Sequence, residues 1–341
     1  MTEKINVKDI HPEGVAEEFD RLMQLDIDDL RAHEAEFADT CCPACHGNEV
    51  PHAFIHQSLA YRRCSHCETL FISPGPTEDL HLDFVRRSRA MTFWRERLPA
   101  AMRVTRKPMY RERVEYAMNV WGRMQIAPES TFEFGAGNGE FAEELAATGP
   151  VKNIVLLEPQ ALKLGLPQVE ILTEGFNALM DSERRFDTVF AWELIEHVVE
   201  PDMFLRAVRQ VLKPGAPLIL STPNERSVET RKLGTDSSNI LFDHVRLYNP
   251  GSIRTLLQRN GFRVVEMCTP GKLDVARLQG YLTARPDAFA DDPALSLILG
   301  DEAAREALQQ LLQDHLLSSH MRVVAVVDGD WRGAPTPLLC S

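Results

Sequence analysis

The stretch Thr131-Phe132-Glu133-Phe134-Gly135-Ala136-Gly137-Asn138-Gly139-Glu140 constrains this chain more than any other. A short apolar run carries an acidic residue, three glycines follow at alternate positions, and a helical pattern opens at Phe141. This is the pattern of a strand, a tight turn and a helix that begins beneath a nucleotide-like ligand. Glycines in the turn can take positive φ, and without a Cβ they let the backbone approach a ligand closely. Many surface turns share a glycine-rich spelling, so the next strand carries weight. Asn153-Ile154-Val155-Leu156-Leu157 is β-branched and apolar and runs into Glu158. That is about twenty residues beyond the loop, where an acidic side chain would hold a ribose diol. The spelling is E-x-G-x-G-x-G, not the G-x-G-x-x-G of dinucleotide folds, and no hydride-transfer site follows.

Two further segments continue the pattern: Phe186 to Val198, which contains Trp192-Glu193-Leu194-Ile195-Glu196-His197, and Val211 to Asn224. With the glycine loop and Glu158-Pro159 they resemble, in order, the motifs of class I S-adenosylmethionine-dependent methyltransferases. The resemblance implies that Gly135, Ala136 and Gly137 pass beneath the methionine end of the cofactor and that Glu158, followed by Pro159, holds the ribose hydroxyls. It implies Phe176 near the adenine, Ala191 and Trp192 closing the pocket, and Glu133 near the amino-acid portion.

Alternating strand and helix patterns from residue 130 onward predict an α/β, doubly wound (Rossmann-like) parallel sheet. Strands are expected at 131–134, 153–158, 169–173, 186–191, 217–222, 262–267 and 321–327, making seven. An insertion at 269–319, helical near 303–317, is expected to cap the substrate site or make a homodimer contact.

Ahead of this domain (126–330) lie three segments: a helical, acidic one (1–38), a cysteine module (39–75) and a helical connector (76–125) that Pro99 and Pro108 divide. A tail occupies 331–341. Cys42-Pro43-Ala44-Cys45 and Cys64-Ser65-His66-Cys67 form two C-x-x-C knuckles with eighteen residues between them. Two turns that each offer two sulfurs suit a tetrahedral structural Zn2+ site, with Cys42, Cys45, Cys64 and Cys67 as ligands. Cys41, His46 and His66 stand beside them as substitutes. Cys268 reads as a buried thiol and Cys340 as a loose terminal one.

The formal net charge of −13 argues against a general nucleic-acid binder. Ten Lys or Arg residues nevertheless fall between Arg86 and Arg113, against Glu96 and Glu112. They read as a solvated helical strip or as a binding strip for phosphate or RNA. No apolar run approaches the roughly twenty residues needed to span a bilayer, and the N-terminus lacks a signal-peptide core, so a cytoplasmic location is expected.

For reaction chemistry, Glu193, Glu196 and His197 form an E-x-x-E-H segment resembling one in the ubiquinone-biosynthesis O-methyltransferases, where it can hold a divalent ion such as Mg2+. His197 is a candidate acid–base group. His244, in Asp243-His244-Val245-Arg246-Leu247-Tyr248, is the preferred general base or else a histidine that fixes its loop, with Tyr248 and Arg246 as substrate contacts. The cysteine module beside this domain partly resembles sugar C-methyltransferases. The expected function is methyl transfer from S-adenosylmethionine to O, C or N of a small molecule, such as a sugar nucleotide, glycan precursor or secondary metabolite. The rivals are an RNA methyltransferase using the module and the 86–113 strip, and a non-catalytic cofactor-binding scaffold.

Overall fold

A computed structural model describes residues 15–97, 100–160 and 162–329. The first part of the expected N-terminal segment, Pro99, Cys340 and the tail lie outside the described residues.

The central sheet has seven strands: β4 (Ser130–Phe134), β5 (Asn153–Leu157), β6 (Val169–Leu172), β7 (Thr188–Trp192), β8 (Pro217–Pro223), β10 (Phe262–Cys268) and β11 (His320–Val327). Their order across the sheet is β10-β11-β8-β7-β4-β5-β6. Strands β4 to β8 run parallel, while β11 is antiparallel to both β8 and β10. All seven expected strands form, and the strand order reverses between β4 and β7, where α/β sheets open a ligand crevice.

Strand alternation explains why both faces are covered. Phe132, Phe134, Val155, Val189, Ala191, Leu218 and Leu220 point to one face and pack on Phe204, Leu205 and Val208 of helix α6 (Pro201–Val211) and on Ile253, Leu256 and Leu257 of helix α8 (Pro250–Arg259). Ile154, Leu156, Phe190, Trp192 and Ile219 point to the other. A period of two in strands buried on both sides is what a doubly wound sheet requires.

The second face is covered by helices α4 (Ala100–Met124) and α5 (Glu140–Thr148). Tyr110, Val114, Ala117 and Trp121 are buried at helical spacing along α4, and the Trp121 indole N–H donates to Thr188 Oγ1 at 2.7 Å. Pro108 was expected to divide this connector. It lies instead inside the continuous helix α4; the packed stripe from Tyr110 onward offsets the hydrogen bond that a proline removes.

The cysteine module is not a separate appendage. Strands β1 (His52–His56), β2 (Leu59–Arg63) and β3 (Leu70–Ile72) form a meander whose fourth strand, β9 (Arg246–Leu247), comes from the segment after β8. Helices α1 (Val15–Arg31), α2 (Glu78–Arg87) and α3 (Arg89–Arg97) flank it through a shared core of Ile27, Leu30, Tyr61, Leu70, Phe84, Phe242 and Val245. Asp26 ties α1 to α3 by accepting from Ser88 Oγ at 2.8 Å and Ala90 N at 2.9 Å.

The insertion contains three helices, α9 (Asp274–Ala284), α10 (Pro293–Gly300) and α11 (Glu302–Asp314), where the sequence pattern had shown only the last. They enclose a small core of their own and pack on Val228 and Leu233 of α7 (Val228–Leu233). Among the described residues no helix is long and apolar enough to cross a membrane.

Candidate active site

The turn after β4 begins the site. Gly135, Gly137 and Gly139 all adopt positive φ. A Cβ on Gly135 would lie 2.7 Å from Leu194 Cδ1, whereas beside Gly137 there is nothing within 4 Å, the open space a ligand needs. Glu158 shapes this loop: one carboxylate oxygen accepts from Gly137 N at 2.8 Å and the other from Gln160 N at 3.1 Å.

Glu133 lies beneath the turn with Oε2 buried and without a partner. Burial is the chief cause that pushes its carboxyl up to about 8; Glu158 adds to the rise and the Arg113 guanidinium opposes it. A buried, unpartnered carboxyl is costly, and a ligand ammonium group would reverse both the desolvation and the shift. Arg113 itself stacks over the Trp192 ring at 5.1 Å and reaches Glu193 at 3.8 Å. It lay in the 86–113 strip, where nothing in the spacing distinguished it. Trp192 closes this side with its indole nitrogen buried and unpartnered, and Ala191 is fully buried in β7. Phe176 sits on a short turn after β6 with its ring edge-on to Phe204 at 5.9 Å. Ala136 and Pro159 are half-buried in the loops following β4 and β5.

Beyond β7 the chain turns sharply, with Glu193 at φ 48°. Glu193 is fully engaged: it accepts from Ser221 Oγ at 2.5 Å and from His320 Nδ1 at 2.9 Å. Burial works against its ionisation, but the facing His320 and Arg113 hold its carboxyl below the ordinary range. His320 was not singled out in the sequence, since a lone histidine opening a strand carries no motif.

Glu196 behaves in the opposite way. It is fully buried; Oε2 accepts from Thr222 Oγ1 at 2.9 Å, while Oε1 has no partner. Burial first, and the Glu193 charge second, raise its carboxyl well above the usual range. His197 Nδ1 lies 2.8 Å from the Asp243 carbonyl and His244 Nδ1 lies 2.8 Å from the Asn239 carbonyl. A carbonyl only accepts, so both Nδ1 atoms carry a proton, and in the neutral ring the lone pair is on Nε2. The rings meet edge to face at 4.8 Å. Glu196, His197 and His244 each offer a ligand atom, all within 4.8 Å of one another. Two imidazoles and a carboxylate with their other atoms already oriented are the donor set of an open metal site. The E-x-x-E-H segment thus contributes Glu196 and His197, and His244 takes the place expected of Glu193.

Tyr248 and Arg246 do not reach this place. Both are enclosed: Tyr248 belongs to the core that holds Cys42 and Cys64, and Arg246 donates to the carbonyls of Ile72 and Val245, each at 3.1 Å. The expectation that they contact the acceptor fails because β9 draws this segment into the module's sheet.

The four expected cysteines do converge. Cys42 and Cys67 Sγ lie 3.4 Å apart and Cys45 and Cys64 Sγ 3.5 Å, near the roughly 3.8 Å edge of a tetrahedron with 2.3 Å zinc–sulfur bonds. The two knuckles are closed alike. Cys42 N donates to Gly47 O and Cys64 N to Thr69 O, both at 3.0 Å; His46 and Glu68 both take the left-handed conformation. His46 is occupied elsewhere, 2.9 Å from Asp202. Cys41 and His66 stay outside the group, and Cys268 is half-buried.

Several cations of the basic strip pair with nearby carboxylates. Among the described side chains, Arg87 pairs with Asp83, Arg89 with Asp26 and Asp29, Arg106 with Glu140, and Lys107 and Arg111 with Glu144.

With this geometry in place, residues 102–267 match the family model described as Methyltransferase domain. This stretch of the chain is a methyltransferase domain. The chain is 31% identical across 120 residues to a ubiquinone biosynthesis O-methyltransferase of Xanthomonas euvesicatoria, an alignment covering 33% of this chain and 49% of the relative. It is 31% identical across 103 residues to the enzyme of that name from Methylobacterium nodulans, covering 28% and 41%. The chain thus spans about half the length of the curated relatives it matches. Among solved structures, the complex of the Haloferax volcanii Trm112 methyltransferase activator with a putative methyltransferase aligns at 16% identity and a TM-score of 0.46, over 70% of this chain and 97% of that one. The methyltransferase domain accounts for the glycine turn, Glu158 and the E-x-x-E-H segment. The cysteine module lies outside the matched residues.

Proposed function

We propose that the chain transfers the methyl group of S-adenosylmethionine to a hydroxyl of a small molecule, with a divalent ion held by Glu196, His197 and His244, whose two imidazole donors suit a transition metal better than the Mg2+ expected from the sequence. The observation that carries this reading is the convergence of one ligand atom each from Glu196, His197 and His244 within 4.8 Å of one another, with Glu196 Oε1 buried and unpartnered, in the segments that follow β7 and β8. That the curated relatives are named O-methyltransferases agrees with it.

Methyl transfer is an in-line displacement at a sulfonium methyl, so most of the rate comes from orientation. Glu133 would receive the cofactor ammonium, Gly137 would let its backbone approach, and Glu158 would take the ribose hydroxyls in exchange for the amides it now holds. A bound ion supplies charge that lowers the pKa of an acceptor hydroxyl. His197 and His244 orient that ion through Nε2, because their Nδ1 protons are committed to carbonyls. Half-buried histidines over a buried glutamate leave the outer side open to the acceptor. The formal net charge of −13 disfavours a phosphate backbone as the acceptor, so a small molecule is preferred to RNA. A structural Zn2+ at Cys42, Cys45, Cys64 and Cys67 completes the cofactor set.

The test is calorimetry with S-adenosylhomocysteine, followed by transfer of labelled methyl to pooled hydroxylated metabolites with and without chelator. Label should pass to a small molecule and stop on removal of divalent ions. Failure of the cofactor to bind the intact protein overturns the whole reading; transfer indifferent to chelation and to Glu196→Gln overturns the ion.

A further inference from the structure

Loop 224–249, which carries His244, is strapped to the cysteine module along much of its length. Arg63 of β2 pairs with the buried Glu225. Tyr61 Oη donates to Leu241 O at 3.0 Å, on the near side of His244. On the far side Ile72 N donates to Val245 O at 3.1 Å, and β3 then pairs with β9 in the register Phe71 to Arg246 and Leu70 to Leu247. The strap ends at the metal ligands themselves: Asn249 Nδ2 donates to Cys67 O at 2.8 Å.

The segment held this way, 241–245, orients both histidines. Leu241 O, which takes the Tyr61 hydroxyl, also accepts from His244 N at 3.0 Å. Asp243 O accepts from His197 Nδ1, so the His197 ring is aimed by a carbonyl on the same turn. The module's own sheet is three short strands without the fourth. The core it shares with α1, α2 and α3 and the four converging cysteines hold that sheet in place.

We propose that the four-cysteine module is a positioning element of the transfer site: through Tyr61, Asn249 and β9 it fixes the 241–245 turn and with it the Nε2 atoms of His197 and His244. The inference rests on the proposed ion site and gives the module a role in the reaction although it contributes no group to it. Tyr61 and Asn249 act through the histidines, as outer partners of metal ligands do.

Two substitutions in the full chain cut two ties of the strap while leaving the β3–β9 pairing and the fold in place. Tyr61→Phe deletes only the hydroxyl. Asn249→Asp keeps Oδ1, which caps α8 by accepting from Gly251 N and Ser252 N, but replaces the donor to Cys67 O with an oxygen. In the double variant, zinc content and S-adenosylhomocysteine affinity should match the parent. Mn2+ binding followed by electron paramagnetic resonance should weaken by roughly tenfold or more, and hydrogen exchange in peptides spanning 239–249 should quicken. Unchanged exchange together with unchanged Mn2+ affinity overturns the proposal, as does a loss of Mn2+ that comes with equal loss of cofactor binding. A parent protein that binds no Mn2+ refutes the ion site alone; quickened exchange at 239–249 then still supports the strap, and unchanged exchange refutes it.

Discussion

Among the described residues metal-type donors come together twice, and the two groups differ in ligand number, ligand type and exposure. The thiolate group has four ligands on two matching knuckles, each closed by its own backbone hydrogen bonds. The imidazole–carboxylate group has three, drawn from a buried turn and a distant loop, with the histidines half-exposed. A complete tetrahedron leaves no coordination position for substrate, so its energy goes into folding. Three donors around an open side leave positions to fill, which is where chemistry occurs. On the proposed reading the two clusters divide the work, one holding shape and the other acting.

The largest effect should come from breaking the closed group. Cys64→Ser, or stripping the metal with a thiol-competing chelator, removes binding energy on the order of 10 kcal/mol that is also folding energy. The expected result is a fall in Tm and a loss of about one zinc per chain by atomic emission, with the module's sheet melting first in hydrogen exchange. If Tm holds after zinc is gone, the division between the clusters is wrong.

Breaking the open group should do the reverse. Glu196→Gln keeps the shape and the acceptance from Thr222 while removing the ligand charge. Because burial already disfavours that charge, stability should hold or rise. Transfer should fall by about a hundredfold or more, with S-adenosylhomocysteine affinity within about twofold of the parent. A large drop in Tm without loss of turnover would make Glu196 a structural residue.

Which parts of this were legible beforehand follows from how local each signal is. The seven strands and the glycine turn are written in runs of four to ten residues, and Cys42 and Cys45 stand three positions apart in one knuckle. Their convergence with Cys64 and Cys67 follows from spacing. The pairing of β3 with β9 joins Phe71 to Arg246, and no periodicity reports a contact of that sequence separation. Tyr248 was misplaced for that reason, since it follows β9 into the core. Glu193 and Glu196 are indistinguishable as letters. Only the positions of Ser221, His320 and Arg113 separate the engaged carboxylate from the open one.

Glu133 offers a smaller test on the cofactor side. With its carboxyl pushed up to about 8, the free protein holds it largely protonated at neutral pH, and a ligand ammonium demands the charged form. S-adenosylhomocysteine affinity should therefore climb as pH rises from 6 towards 8, by up to about tenfold per unit, with uptake of the ligand releasing about one proton. Calorimetry in buffers of different ionisation enthalpy measures that proton. Glu133→Gln should weaken binding by roughly tenfold and flatten the pH dependence. Affinity that falls over the same range would mean Glu133 does not face the ammonium.

Glu193→Gln should give the mildest change, and it sharpens the contrast because Glu193 stands three residues from Glu196. Its carboxyl is held low while His320 is held high. A lowered acid contributes stability above its unfolded pKa near 4.5, lost as pH falls through the folded value. A raised histidine contributes below its unfolded pKa near 6.5, lost as pH rises through the folded value. The pair is therefore worth most between those limits. Both side chains are about one-third exposed, so the substitution should cost about 1 kcal/mol near pH 5.5. The cost should be smaller at pH 8.5, where only Arg113 still faces the charge. Thermal unfolding at the two pH values reads the difference directly. Turnover should drop less than tenfold, since a saturated carboxylate orients its neighbours and binds no ion. If Glu193→Gln instead abolishes Mn2+ binding as Glu196→Gln does, the engaged residue is a ligand after all and the open group is larger than the three donors assigned to it.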